Sequence, residues 1–210
     1  MPVALVALAA TLGAGHILAD ASGRRVPTGV LKPLPVALGM LWAILCGPAV
    51  SERYRWLVVA GLAFSMAGDV FLLSKERFVP GLASFLVAHL FYTAAFAPDG
   101  GLVWWPLVVV GGVALLLLRV LWPHLGSFRG PVLGYVAVIA AMAWQAVVRG
   151  AAPATPQPSG LLAAVGAVVF MSSDATLAYD RFARRFAGAH AVVMVTYYTA
   201  QLLIAGSVAR

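Results

Sequence analysis

From Pro2 to Val208 the sequence is a succession of eight apolar stretches, and no interval between them exceeds eleven residues. A helix needs about 20 mainly apolar residues to cross the hydrocarbon core of a bilayer, where irregular backbone would leave its amide groups unpaired. The pattern therefore predicts an all-α integral membrane protein of eight transmembrane helices, built as a single transmembrane domain over residues 1–210 with no soluble domain left over. The expected spans are about 2–18, 30–45, 56–73, 81–96, 102–121, 131–148, 160–179 and 189–208. The first lacks the basic leader of a secretory signal and is read as a helix. Lys32 and Pro33 open the second, where a proline is tolerated because a first-turn N–H has no helical partner. Ser51 to Arg55, Pro98 to Gly101, Arg149 to Ser159 and Asp180 to Gly188 read as loops. Trp104 and Trp105 look like interfacial anchors.

Composition excludes the alternatives to a membrane protein. Charged residues make up 10% of the chain and hydrophobic ones 62%, where a soluble domain carries roughly 25% charge. The net charge of +7 comes from short Lys and Arg groups between apolar runs. That arrangement fits the edge of an anionic bilayer and not a nucleic-acid partner. A single cysteine, Cys46, rules out an intramolecular disulfide framework and a cysteine-only zinc site.

Two of the apolar runs hold a carboxylate. Asp69 lies within Gly61 to Leu73, and Asp174 within Gly166 to Ala178. Each Asp has a Gly eight residues before it, a Met three before and a Leu three after. A charge at membrane depth costs about 3 kcal/mol on insertion scales and is rare without a partner or a task. For one such residue a structural tie between helices is an equal reading; two in matched contexts favour function. The match extends further, to Tyr92-Thr-Ala after the first Asp and Tyr198-Thr-Ala after the second. Each half, about 1–97 and 98–210, then reads as a four-helix unit. Units of four spans enter the membrane in the same direction, giving parallel repeats about an axis near the membrane normal. Such symmetry predicts that Asp69 and Asp174 face one central cavity.

Ten Lys and Arg residues (Arg24, Arg25, Lys32, Lys75, Arg77, Arg119, Arg129, Arg181, Arg184 and Arg185) fall on one side and four (Arg53, Arg55, Arg149 and Arg210) on the other. The positive-inside rule makes the first side cytoplasmic and places both termini outside a cell (inner) membrane crossed many times. Both aspartates then lie in the cytoplasmic half.

The ordered set Lys32-Pro33, Gly68-Asp69-x-x-Leu72, His89-x-x-Tyr92, Ser173-Asp174-x-x-Leu177 and Tyr197-Tyr198-x-x-Gln201 resembles the YhhN, or lysoplasmalogenase, family over nearly the whole chain. The resemblance implies a multi-span membrane enzyme that hydrolyses the vinyl ether bond of lysoplasmalogens, giving a fatty aldehyde and a glycerophospho-amine. It implies catalytic roles for Asp69 and Asp174 and no cofactor. Bacterial members often have no characterised substrate, so the site carries over further than the substrate does. Lys32, Ser84, His89, Tyr92, Tyr197, Tyr198 and Gln201 are the candidate substrate-binding residues.

Vinyl ether hydrolysis suits two carboxyl groups. A proton is delivered to the alkene carbon, and water attacks the resulting oxocarbenium ion, a state that glycosidases also manage with a carboxyl pair. Burial and a neighbouring carboxylate both help an acid to keep its proton near neutral pH. Which Asp is the acid is not legible. His89 reads as a packing residue or a proton carrier, Tyr92 and Tyr198 as cavity-lining, and Lys32 as a phosphate ligand or a side chain snorkelling to the interface. A metal held by both carboxylates and His89 is the weaker alternative. The chain contains no HExxH, GxSxG or phosphate-cradling glycine loop. The competing functional class is a proton-coupled carrier, in which the repeats rock about a central site and the aspartates carry protons. An enzyme for a membrane lipid needs a cavity open to one leaflet; a carrier needs routes to both faces.

Overall fold

The computed structural model describes residues 1–23, 29–97 and 103–210. Arg24 and Arg25, the turn expected at Pro98 to Gly101 and the first residue of the fifth span, Leu102, lie outside them. Eight helices follow one another: α1 (Val3–Ala21), α2 (Leu34–Leu45), α3 (Glu52–Phe71), α4 (Phe78–Phe96), α5 (Trp105–Leu121), α6 (Arg129–Ala151), α7 (Ser159–Ala178) and α8 (Ala189–Gly206). No strand forms among the described residues; one antiparallel bridge joins Ala49 to Ala209.

Six of these helices, α1 and α4 to α8, are long and apolar enough to cross a membrane. The apolar stretch Gly29–Leu45, which ends in α2, is shorter. Helix α3 has the length but begins with Glu52, Arg53 and Arg55. Those three residues were expected in a loop. They are helical because Ser51 caps α3, its hydroxyl accepting from the Tyr54 N–H at 3.1 Å, while Glu52 favours the positive end of the helix dipole. Helix α2 enters through Pro33, whose φ of −78° is already helical.

The helices form a closed ring, α2 against α3, α3 against α4, α4 against α6, α6 against α7, α7 against α8 and α8 back against α2. Helix α1 rests on α2 and α8 outside the ring, and α5 rests on α6. Glycines set the closest approaches. A Cβ added at Gly61 of α3 would run into the Tyr92 ring of α4, and one at Gly166 of α7 would lie 2.9 Å from Ile204 Cγ1 of α8. These are the two glycines that precede the aspartates by eight residues. Their lack of a side chain seats α3 on α4 and α7 on α8.

At one end of the bundle the chain ties itself shut. Val50 N–H donates to Val208 O at 3.0 Å and Arg210 N–H to Pro48 O at 2.9 Å. Tyr54 and Ser207 share a hydroxyl hydrogen bond of 2.7 Å, Ser159 donates to Ser207 O at 2.6 Å, and the Arg149 guanidinium stacks over the Tyr54 ring. This cluster joins the α2–α3 loop, the start of α7 and the C-terminus. At the opposite end lie the α3–α4, α5–α6 and α7–α8 connections, with Arg77, Arg181, Arg184 and Arg185 in them and Arg129 at the start of α6.

Candidate active site

Asp69 and Asp174 sit in the last turns of α3 and α7, at the arginine-rich end of the bundle. Asp69 meets residues from the entry to α2 and from α8, and Asp174 meets residues from α6 and α4. Asp69 Oδ2 accepts a 2.7 Å hydrogen bond from the Tyr197 hydroxyl of α8, and Lys32, just before α2, places Nζ 3.7 Å from Oδ1. Asp174 Oδ2 accepts a 2.6 Å hydrogen bond from the Tyr135 hydroxyl of α6 and lies 3.7 Å from His89 Nε2 of α4.

The environments differ. The Asp69 side chain is 1% exposed and its ion-pair partner Lys32 is 7% exposed, so the pair is sealed and compensated. Asp174 is 15% exposed, has no lysine or arginine partner among the described residues, and faces a tyrosine and a fully buried histidine whose Nε2 makes no hydrogen bond among them. Asp174 lines a cavity between α4, α5, α6 and α7. Phe78, Leu82, Leu117, Val136 and Met171 form much of its wall, and Arg181 and Phe182 stand at its edge.

The expectation of one shared cavity is therefore corrected: Asp69 is not among the residues lining the cavity that Asp174 lines. The reason is aromatic packing. Phe170, one turn before Asp174 on the same helix face, is fully buried, with its ring centroid 5.5 Å from Tyr197 and 4.6 Å from His89. Phe85 closes the same cluster against Phe170 and Tyr197. The middle of the ring is filled by side chains.

The other candidate residues are placed as follows. Tyr92 donates to Gln201 Oε1 at 2.7 Å, linking α4 to α8 in the core. The Tyr198 hydroxyl lies 3.0 Å from His16 Nδ1 and 3.0 Å from Lys32 O, fixing the backbone that presents the lysine. Ser84 donates to Phe64 O at 2.7 Å across α3 and α4, as Ser173 does to Val193 O at 3.0 Å across α7 and α8. Lys32 faces Asp69, away from the interface where it would snorkel. Among the described residues no three of His, Cys, Asp and Glu cluster as metal ligands, so the arrangement of two carboxylates and His89 is not formed.

Sequence reasoning missed Tyr135, Phe170 and His16. Tyr135 was findable, because it precedes Asp174 by 39 residues much as Lys32 precedes Asp69 by 37. Phe170 and His16 look like ordinary members of apolar helices until tertiary packing brings them to the site.

Comparison with known proteins finds relatives over most of the chain. Human lysoplasmalogenase TMEM86B is 36% identical over 186 residues, which cover 86% of this chain and 75% of the relative. Lysoplasmalogenase TMEM86A of Bos taurus is 38% identical over 191 residues, 85% of this chain and 76% of the relative. An uncharacterized membrane protein YhhN of Escherichia coli O6:H1 is 32% identical over 187 residues, 85% of each. No solved structure matches. The sequence profile of the YhhN family matches residues 28–208, all but the first 27 residues and the last two, and the chain belongs to the YhhN family.

Proposed function

We propose that the protein is a membrane hydrolase that cleaves the vinyl ether bond of lysoplasmalogen-like lysophospholipids, with Asp174 as the group that meets the substrate. The observation that carries the reading is a partly accessible carboxyl group, held by a tyrosine and flanked by a buried histidine, in the wall of an apolar cavity between helices. Two relatives named lysoplasmalogenase, each sharing more than a third of their aligned residues with this chain, support the substrate class.

The chemistry follows from the geometry. The Asp174 carboxyl gives its proton to the alkene carbon remote from the ether oxygen, leaving an oxocarbenium ion beside the new carboxylate. That carboxylate is the nearest negative charge to the developing cation, and in an apolar cavity its attraction is little screened. Water adds to the carbon bearing oxygen and returns a proton to Asp174, while His89 Nε2 stands 3.7 Å from Oδ2, the oxygen that Tyr135 holds. The hemiacetal collapses to a fatty aldehyde and a glycerophospho-alcohol. Tyr135 fixes which carboxyl oxygen is free to act. Asp69 is a positioning residue in this scheme: paired with Lys32, it orients Tyr197, against which Phe170 and then His89 pack.

All eight helices, the short α2 and the charged α3 included, are read as spans. The arginine-rich end faces the cytoplasm and both termini lie outside. The contacts of α2 to α4 with one another match those of α6 to α8, and the crossed partners of the two aspartates match as well. That agreement supports a parallel repeat of two four-helix units. The closed cluster around Tyr54, Ser207 and Ser159 favours an enzyme over a carrier, which needs a route at that end too.

The deciding experiment incubates the purified protein in detergent with an alkenyl lysophospholipid and measures released aldehyde. No aldehyde above a protein-free control, for any vinyl ether lipid supplied, ends the proposal.

A further inference from the structure

Three hollows meet beside Leu117 and Ala175, the residue after Asp174. The first is the cavity that ends at Asp174, with about 40 Å³ of free space. The second is a groove of about 260 Å³ between α5 and α7. It shares Leu117, Met171 and Ala175 with the first and runs along α5 to Trp105. The third is an open hollow of about 840 Å³ that shares Leu117 and Ala175 and is edged by Tyr179, Arg184 and Arg185.

The groove exists because α5 leans on α6 and on the turn after α7, leaving the side of α7 that faces α5 largely uncovered. From Trp105 to Leu117 it follows twelve residues of helix, roughly 18 Å at 1.5 Å per residue. Its walls are Val109, Val113, Val168 and similar apolar side chains. The open hollow is made by the chain reversal after α7. There a π-helical turn, Tyr179–Ala183, closes with Arg184 N–H donating to Tyr179 O at 3.0 Å, and Gly188 at φ +84° redirects the chain into α8. Arg184 and Arg185 are exposed, and among the described residues no carboxylate pairs with either. Asp180, the nearest acidic residue in sequence, accepts from the Phe186 N–H at 3.2 Å.

We infer that these hollows form one bent path for a single-tailed lipid with an anionic head. The hydrocarbon chain lies in the α5–α7 groove, the phosphate on Arg184 and Arg185, and the bond joining them at Leu117 and Ala175, against the Asp174 cavity. Charge complementarity sets the head, since a guanidinium pair without carboxylates suits a phosphate. Space sets the single tail, because the cavity beside Asp174 takes only a few water-sized groups and offers no room for a second chain. The inference rests on the hydrolase reading for the identity of the bond and adds where each part of the lipid sits.

The test uses full-length protein and a saturated alkyl-ether lysophosphocholine carrying a diazirine at the end of its tail. It has no vinyl bond and is not a substrate for the proposed chemistry. Photolabels should map to the α5 and α7 residues of the groove. Unlabelled alkyl-ether lysophosphocholine should compete less well in Arg184→Gln/Arg185→Gln, its apparent Kd rising on the order of tenfold. The apparent Kd of phosphate-free monoalkylglycerol should not change. Val109→Trp, at a position 62% exposed, should abolish groove labelling. Labels elsewhere, equal constants in wild type and double variant, or equal competition by a diacyl phosphocholine would each overturn the path. If either variant fails to fold, the wild-type label map decides alone. Labelling needs no turnover. A wild type that takes label in the groove but releases no aldehyde keeps the path and ends the hydrolase reading, and aldehyde release with labels elsewhere does the reverse.

Discussion

Lys32 Nζ stands 3.7 Å from Asp69 Oδ1, and the two side chains are 7% and 1% exposed, so the lysine's charge is balanced inside the protein and not at the lipid surface. Breaking a sealed pair by removing one member leaves the other uncompensated, at a cost on the order of 3 kcal/mol, whereas replacing both is often nearly neutral. Lys32→Met and Asp69→Asn are each expected to lower the melting temperature in detergent. The double variant Lys32→Met/Asp69→Asn should melt above either single one. Additive losses in the double variant would show that the two do not interact.

Asp174 is expected to respond differently. Asp174→Asn keeps the size and a Tyr135 hydrogen bond while removing the acid, so kcat on lysoplasmalogen should fall at least about 100-fold with the melting temperature little changed. Tyr135→Phe should lower kcat roughly tenfold, since it frees the carboxyl group to rotate but leaves its proton. Turnover and melting curves on the same preparations check both. An active Asp174→Asn protein would move the chemistry elsewhere.

Gly61→Ala and Gly166→Ala test the seating of the two helix pairs. In the first the added methyl meets the Tyr92 ring, and in the second Ile204 and the Ala200 carbonyl. Overpacking of this kind costs about 1 to 3 kcal/mol. Both should reduce thermal stability, whereas Gly112→Ala, where a Cβ meets nothing within 4 Å, should not.

Orientation is checked by cysteine labelling in cells. Cys46 is the only native cysteine, so Cys46→Ser gives a clean background. Ala154→Cys, in the α6–α7 loop, should react with a membrane-impermeant maleimide in intact cells. Ala187→Cys, in the α7–α8 loop, should react only after permeabilisation. The inverse labelling would place the arginine-rich end outside.

The sequence shows the helices well because a membrane span needs a long uninterrupted apolar run, and eight runs became eight helices. Asp69 and Asp174 are legible for the same reason, as carboxylates where none is cheap. The relation between them is less legible. The matched Gly, Met and Leu spacing marks the two alike but does not say what fills the space between them, and the four-residue offset that gives Ser65 before Asp69 gives Phe170 before Asp174. That one difference puts a buried ring beside Tyr197 and His89. Lys32 reads as an interfacial cation until folding turns it toward Asp69. Tyr135 reads as a lone tyrosine until α6 packs against α7.

The hydrogen bonds that knot Tyr54, Ser207 and Ser159 together bear on the kinetics of a reconstituted system. With that end closed and the head of the lipid on Arg184 and Arg185 as proposed, a lipid is expected to be admitted from, and its products returned to, one monolayer only. In sealed vesicles with substrate on both sides and the protein inserted in one direction, aldehyde release should come in two phases: a fast one that exhausts the accessible monolayer, then a slow one set by how quickly the remaining lipid flips across. Adding a lipid scramblase would merge the two without altering the enzyme.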